Sequence, residues 1–229
     1  MWHQILTWLF LMISGIIAKL YSLLYLKVDI KGRENITLDT HGVLFSANHQ
    51  TLADSWFIMA HMRSMLHMML KPAFLPWNIP EGNNYFATPI MQFIFSHLRC
   101  LPVQRKSMDV KAKQNFFARI SIILKTGNIL IFFEETRTRN GEIGKAKLGA
   151  GTIAYKNGCK IIPIRINGFS EVMPVGSKWY YFLVPFKHRK KVSIVYGPPV
   201  QYDDLLVEPE KNGTFLKISQ RIKATVEKL

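Results

Sequence analysis

The residues best suited to chemistry in this chain are His49 and Asp54, which lie five positions apart. They follow an apolar run at residues 42–47 that is typical of a β-strand. Histidine titrates near neutral pH and a neighbouring carboxylate can orient its ring, so the pair could act as a general base on a hydroxyl group. The spacing alone is not specific, because a packed histidine followed by an aspartate that caps the next helix has the same pattern.

Two more polar segments follow predicted strands. The segment RCLPVQR ends in Arg105, whose guanidinium could bind a phosphate group through two parallel hydrogen bonds, although a solvated surface arginine is the commoner case. The apolar strand at residues 128–133 runs directly into Glu134, Thr136 and Arg137. Polar groups at the end of a buried strand must be paired, and a carboxylate there can hold an arginine ready for a phosphate.

The elements that must position these residues alternate between strand and helix patterns. Strands are predicted at residues 27–31, 42–47, 65–70, 98–103, 128–133, 160–167 and 192–196. Helices are predicted at residues 54–62, 88–97, 109–125 and 152–156, and from about residue 210 onward. Pro163 predicts either an edge position for its strand or a local irregularity. This alternation predicts an α/β fold of a single domain, with a mostly buried central mixed sheet flanked by helices. In such sheets ligands bind at the carboxyl ends of the strands, where the polar segments lie.

The N-terminal segment is almost wholly apolar from residue 5 to residue 26, apart from Lys19. Its length approaches the roughly 20 residues of a membrane-spanning helix. Gly15 and Lys19 could instead divide it into two short helices that lie in the membrane interface. It lacks the basic start and the small-residue cleavage site of a signal peptide. We therefore predict a membrane anchor at residues 1–26 and a catalytic domain at residues 27–229, with both forms of the anchor open.

The charge of the chain predicts an anionic partner. Lysine and arginine total 30 against 15 acidic residues, a net charge of +15, while 48% of residues are hydrophobic. The apolar N-terminus favours lipid over nucleic acid. Residues 178–191 mix aromatic and basic side chains, which fits either a membrane-surface segment or a solvated hairpin. Cys100 and Cys159 cannot form a disulfide framework, and no Cys/His cluster predicts a metal site. The GxGxxA pattern at residues 149–154 follows no strand, which argues against dinucleotide binding.

Taken in chain order, the polar segments resemble the glycerolipid acyltransferase family, typified by lysophosphatidic acid acyltransferases. The family's NHxxxxD motif is matched in full at residues 48–54, and its arginine block is matched at Arg105. Its FPEGTR block is matched in part at residues 132–137, and its VPI-like strand at residues 162–164. The four blocks together are specific, whereas any one of them is not.

The resemblance implies transfer of a fatty acyl group from acyl-CoA or acyl-carrier protein to the free hydroxyl of a lysolipid. The acceptor it favours is 1-acylglycerol-3-phosphate. His49 would be the general base and Asp54 would orient it, with no cofactor apart from the acyl thioester as co-substrate and no metal. The residues implied in acceptor binding are Asn48, Arg105, Glu134, Thr136, Arg137 and Lys147. The acyl chain would lie among residues 65–95. The expected partners are membrane lipid and the acyl donor, not nucleic acid, at the cytoplasmic face of an inner membrane.

One departure from the family pattern bears on the acceptor. The third block reads FFEETR, so Phe133 replaces its proline and Glu135 replaces its glycine. A second carboxylate two residues from Arg137 would partly cancel the positive field and favour an acceptor with an amine-bearing headgroup. Alternatively, Glu135 pairs at the surface with Arg139 or Lys145, and lysophosphatidic acid remains the acceptor. A basic nucleic-acid-binding module and a non-catalytic lipid-binding protein are the alternatives from other functional classes.

Overall fold

The computed structural model describes residues 2–36, 41–104, 108–138, 142–176 and 188–229. Arg105, Arg139 and most of the basic and aromatic segment at residues 178–191 lie outside the described residues. The strands are β1 Leu26–Lys31, β2 Val43–Ala47, β3 Trp77–Asn78, β4 Ile129–Phe132, β5 Lys160–Asn167 and β6 Lys190–Tyr196. The helices are α1 Trp2–Tyr25, α2 Asp54–Met62, α3 Met65–Leu70, α4 Gly82–Tyr85, α5 Pro89–His97, α6 Val110–Thr126, α7 Leu148–Asn157, α8 Phe169–Val172, α9 Asp203–Leu206 and α10 Asn212–Lys228. Short 3₁₀ turns lie at Arg33–Asn35 and Pro72–Phe74.

The described strands form one six-stranded sheet in the order β1-β6-β5-β2-β4-β3. Strand β2 is parallel to both of its neighbours, β4 and β5, whereas β5 and β6 are antiparallel. All five residues of β2 are buried, as expected for a strand covered on both faces. The prediction of an α/β fold with a mixed, mostly buried sheet is confirmed.

Helices cover both faces of the sheet. Because successive strand residues point to opposite faces, Leu44 and Phe45 of β2 belong to different hydrophobic clusters. The cluster around Phe45 includes residues of α1 and α2. The cluster around Leu44 includes residues of α6, α7 and α10. The carboxyl end of β2, where His49 follows, therefore emerges between two layers of helices.

Helix α1 is a single uninterrupted helix of 24 residues that continues through Gly15 and Lys19. Of the two predicted forms of the N-terminal segment, the pair of short helices is therefore wrong. The length and apolar composition of α1 are sufficient for crossing a membrane. One face packs on the domain, and the Trp56 indole fastens it by donating to Ser14 Oγ at 2.8 Å. The opposite face exposes large apolar side chains: Ile13, Ile16, Ile17, Leu20, Leu23 and Leu24.

Two predicted strands are wrong. Residues 65–70 form α3, because unbranched methionine and leucine favour helix and the Ser64 side chain caps it by accepting from His67 N at 3.2 Å. The segment 98–103 makes only isolated bridges, at Cys100 and at Val103, and not a strand. Apolar runs this short do not distinguish helix, strand and buried loop.

Pro163 does not lie in an edge strand, because β5 is between β6 and β2. Its carbonyl accepts a hydrogen bond from Gly197 N at 2.8 Å, just beyond Tyr196, the last residue of β6. Proline lacks an N–H group, and here it lies where the neighbouring strand has ended. The predicted edge position is therefore wrong, and β5 runs through Pro163 without a break.

Candidate active site

His49 and Asp54 are in direct contact at the carboxyl end of β2. Their Nδ1 and Oδ2 atoms are 2.8 Å apart. An N–H on Nδ1 that donates to the carboxylate leaves the second ring nitrogen, Nε2, as the acceptor. The His49 side chain is 17% exposed, and His49 lines a large cavity of the described structure. The pair therefore has the geometry of a general base with its orienting carboxylate.

The carboxylate of Asp54 is fully buried and is surrounded by hydrogen-bond donors. Oδ2 accepts from the backbone N–H groups of Gln50 at 2.5 Å and Thr51 at 2.8 Å, in addition to the imidazole. Oδ1 accepts from the Thr51 hydroxyl at 2.7 Å. Asp54 is the first residue of α2, where the positive end of the helix dipole also favours an anion. The local fold is thus arranged around this carboxylate.

The rest of His49 is held from three sides. Its ring stacks on Phe132 with a centroid separation of 3.9 Å and an interplanar angle of 10°. Its backbone N–H donates to Glu134 Oε1 at 2.8 Å, and its carbonyl accepts from Thr138 N at 3.0 Å. The polar segment after β4 therefore fixes the position of the histidine that follows β2.

Glu134 is buried and binds two backbone N–H groups at once. Its second carboxylate oxygen, Oε2, accepts from Gly144 N at 2.6 Å. Burial raises the pKa of Glu134, while the hydrogen bonds from His49 and Gly144 act in the opposite direction. Glu134 does not line the cavity. Its contacts tie together the His49 loop and the segment that leads into α7.

Like Glu134, two further predicted acceptor-binding residues do not line the cavity. Asn48 is buried, and its side-chain amide makes two hydrogen bonds with the backbone of Ile166. Nδ2 donates to the carbonyl oxygen at 3.0 Å, and Oδ1 accepts from the N–H group at 2.8 Å. Asn48 therefore joins the His49 loop to β5. Lys147 precedes α7 and is not among the residues that line the cavity; it borders a separate shallow depression beside Asn212 and Gly213. The structure does not bring either side chain to the base.

Thr136 and Arg137 are brought to the same cavity as His49. Tyr85, which sequence reasoning missed, lines it as well. Burial raises the pKa of Tyr85 to about 12, and the positive charge of Arg137 opposes that shift. The backbone contact between Thr138 and His49 places the segment of Thr136 and Arg137 beside His49, so one end of the cavity is polar and carries both a base and a cation.

Glu135 has a backbone φ of 60°, in the left-handed region that favours glycine. This explains the family's glycine at this position. The carboxylate accepts from Gly149 N at 3.2 Å, in the first turn of α7. An anion is stabilised there by the helix dipole. Glu135 also lines the cavity, but its carboxylate is directed to the start of α7.

The cavity has a volume of about 1180 Å³ and is largely apolar away from its polar end. Met68, Leu75 and Phe95 contribute to its wall, within the segment 65–95 predicted for the acyl chain. Sequence reasoning missed the contribution of α1, which adds Phe10, Leu11, Ile13, Ser14, Gly15 and Ile17. The small residues at positions 14 and 15, inside an otherwise bulky apolar helix, were the available signal.

The glycine-rich start of α7 has a packing role. A Cβ atom on Gly151 would lie 1.9 Å from the carbonyl oxygen of Phe215 in α10. Gly151 N donates to Ser219 Oγ of the same helix at 2.9 Å. Close contact between the two helices therefore requires glycine here. Among the described residues, no group of three or more His, Cys, Asp or Glu side chains could hold a metal ion.

A base and its carboxylate at the carboxyl end of a central strand, opening on a long apolar cavity, define an α/β domain suited to chemistry on an amphipathic molecule. The chain belongs to the Acyltransferase family, whose sequence profile matches residues 27–167. The resemblance seen in the four motif blocks is confirmed at the level of the family.

Similar proteins include chloroplastic 1-acyl-sn-glycerol-3-phosphate acyltransferases of Arabidopsis thaliana and Brassica napus, each 28% identical over 71% of this chain. The matches cover 43% and 44% of those two proteins, so the chain spans less than half of their length. An N-acylphosphatidylethanolamine synthase of Arabidopsis thaliana is 25% identical over 69% of this chain and 55% of its own length.

A similar solved structure is the 1-acyl-sn-glycerophosphate acyltransferase PlsC from Thermotoga maritima. Its TM-score is 0.67 at 20% identity, and the match covers 95% of this chain and 78% of that one. This likeness confirms the fold, including the arrangement of the mixed sheet and its helices.

Proposed function

We propose that the protein is an O-acyltransferase that moves a fatty acyl group from an acyl thioester to the free hydroxyl of a lysolipid. The observation that carries this proposal is the contact between His49 and Asp54 at the polar end of a long apolar cavity. Membership of the Acyltransferase family supports the reaction class. The relatives named 1-acyl-sn-glycerol-3-phosphate acyltransferase favour lysophosphatidic acid as the acceptor.

In the proposed reaction, Nε2 of His49 takes the proton of the acceptor hydroxyl as the oxygen attacks the thioester carbonyl. The new C–O bond gives a tetrahedral oxyanion, and Asp54 stabilises the imidazolium. Collapse of that intermediate breaks the C–S bond, and the departing thiolate takes the proton back from Nε2. The products are the ester and a free thiol, so the enzyme needs no nucleophile of its own.

Arg137 would bind the acceptor phosphate at the polar end of the cavity, with Thr136 beside it. Arg105 remains a proposed contributor outside the described residues. The apolar wall would hold an acyl chain. The donor would be acyl-CoA or acyl-carrier protein, and the net charge of +15 suits either anionic molecule.

Helix α1 would hold the domain at a membrane by lying in the interface. One face packs along the domain while the other exposes large apolar side chains, which fits a helix with protein on one side and lipid on the other. This placement would let a lysolipid enter the cavity beside α1 from the bilayer. The cytoplasmic face of an inner membrane remains the proposed location.

A second candidate is transfer to a lipid with an amine-bearing headgroup. The relative named N-acylphosphatidylethanolamine synthase favours it. Glu135 does not add to this case, because its carboxylate already binds the N-terminal turn of α7. The two candidates share the cavity and the base and differ in the group that Arg137 would meet.

The decisive experiment measures thiol release from acyl-CoA by protein purified in detergent, with lysophosphatidic acid or an amine-bearing lysolipid as acceptor. The His49→Ala variant should lose about 10²–10⁴-fold in turnover. His188→Ala is the matched control, since His188 is exposed. Turnover by His49→Ala close to that of the control would refute the mechanism, and the preferred acceptor decides between the two candidates.

A further inference from the structure

Three cationic side chains from three elements meet at the C-terminal end of α2, at the opposite end of that helix from Asp54. They are Lys19 of α1, Arg33 of the first 3₁₀ turn and Arg63, which directly follows α2. Lys19 Nζ donates to the carbonyl of Arg63 at 3.3 Å, and Arg33 Nε donates to the carbonyl of His61 at 3.0 Å. None of these side chains lines the cavity that holds His49.

The cluster lacks an anionic partner in the described part of the chain, where none of Lys19, Arg33 and Arg63 takes part in an ion pair. Burial lowers the pKa of Arg63, and the charge of Arg33 lowers it further. Burial also lowers the pKa of His61. The hydrogen bond to the carbonyl of Phe57 raises this pKa, and the charges of Lys19 and Arg33 lower it further. Arg33 therefore repels the positive charges of both Lys19 and Arg63.

Capping of α2 explains part of this arrangement but not all of it. The C-terminus of a helix carries about half a negative charge, so three full positive charges leave roughly 2.5 unbalanced. Lys19 and Arg33 satisfy carbonyls of the last turn. The guanidinium of Arg63 has no such role in the described structure, and its buried Nε has no hydrogen-bond partner there. A bound anion would offset this repulsion.

The surroundings indicate which anion. Ile16 and Leu23 lie three residues before and four residues after Lys19, on the same side of α1, and are 46% and 66% exposed. An anion that reaches this cluster therefore lies beside an exposed apolar surface. We propose that Lys19, Arg33 and Arg63 bind the phosphate of an anionic phospholipid headgroup, at a site separate from the substrate cavity. The lipid would fix the orientation of α1 on the bilayer.

The experiment measures binding of the full-length protein to vesicles of phosphatidylcholine alone and of phosphatidylcholine with phosphatidylglycerol. Arg63→Gln should weaken binding to the anionic vesicles about tenfold, above the roughly fivefold expected for one basic residue near a charged surface. It should leave binding to neutral vesicles unchanged. Arg63→Lys should restore most of the binding. The matched control is Arg119→Gln, an exposed arginine on α6 in the opposite helical layer.

Equal losses for Arg63→Gln and Arg119→Gln would overturn the proposal, because they would show diffuse attraction without a site. Thermal melting with inorganic phosphate in detergent separates the two sources of phosphate. If phosphate stabilises the wild type but not Arg63→Gln, while both bind vesicles equally, the ligand is soluble phosphate and the lipid assignment is wrong. The site is independent of acyl transfer, so His49→Ala should bind vesicles like the wild type.

Discussion

Replacing Asp54 with asparagine removes one charge from the site and almost nothing else. The asparagine oxygen can keep the position of Oδ2, where it accepts from the His49 ring and from the backbone of Gln50 and Thr51. The amide nitrogen then faces the Thr51 hydroxyl, which can rotate to accept from it. We therefore expect the fold and the imidazole tautomer to survive this substitution.

In the proposed mechanism, the loss of activity would arise when His49 takes the proton of the acceptor hydroxyl. Two unit charges about 4 Å apart attract by about 4 kcal/mol at an effective dielectric constant of about 20. That is about a 10³-fold loss in kcat, since each 1.36 kcal/mol is about tenfold. Because Nδ1 and Oδ2 are only 2.8 Å apart and the carboxylate is fully buried, solvent screens the pair little.

The assay is thiol release under saturating acyl-CoA and acceptor, with melting temperature measured on the same preparation. The matched control is Asp109→Asn, which changes the capping residue of α6 to another good cap outside the cavity. A kcat for Asp54→Asn within about tenfold of the control, at an unchanged melting temperature, would refute the role assigned to the charge.

The remaining predictions concern Glu134, Glu135 and helix α1. Glu134→Gln should lose about 1.5–3 kcal/mol of stability, because an amide cannot accept from both backbone N–H groups. The raised pKa of Glu134 means that the folded state binds more protons than the unfolded state. The stability of the wild type relative to Glu134→Gln should therefore fall as the pH rises from the ordinary glutamate pKa through the raised one. Denaturant titrations at several pH values measure this difference, and a rise with pH would contradict the prediction. Glu135→Ala should be about 1 kcal/mol less stable than Glu135→Gly, because only glycine relieves the positive φ. Glu135→Gly should also leave the ratio of kcat/KM between the two acceptors unchanged; a changed ratio would show that Glu135 contacts the headgroup. The double substitution of Leu20 and Leu23 by serine should release the protein from neutral vesicles, while activity on detergent-dispersed substrate persists. Deletion of residues 2–25 should abolish both vesicle binding and activity, because α1 also forms part of the cavity wall. A fully active deletion variant would exclude α1 from the site.

The sequence predicted the long elements well because their signals are local. Thr88 caps α5 through Met91 N, and Gly127 ends α6, as their residue types indicated. The contact between His49 and Asp54 was also predictable, since one turn contains both residues. The predictions for short apolar runs were less accurate because a partner strand decides whether such a run becomes a strand. The described part of the chain offers no partner strand to residues 65–70.

The surroundings of the site depended on long-range contacts that no local pattern contains. The side-chain amide of Asn48 binds Ile166 of β5, 118 residues further along the chain. The NHxxxxD motif alone did not reveal that this amide is already hydrogen-bonded within the protein. Lys147 follows Glu135 by only 12 residues, but it borders a shallow depression that is separate from the cavity lined by Glu135 and His49. The participation of α1 in the cavity was indicated only by the small residues Ser14 and Gly15, because an apolar helix has the same sequence pattern whether it faces lipid or substrate.

The double role of α1 links the mechanics of the bilayer to the shape of the cavity. Ile13 and Ile17 are exposed on the outer surface of the helix and also contribute to the cavity wall. If that surface rests in lipid as proposed, lateral pressure or a change in bilayer thickness that tilts the helix also moves one wall of the acyl site. The product of the proposed reaction is itself a bilayer lipid, so its synthesis would alter the medium that presses on the helix. The set of acyl chains accepted would then depend on the membrane already made, through feedback that needs no separate regulatory domain.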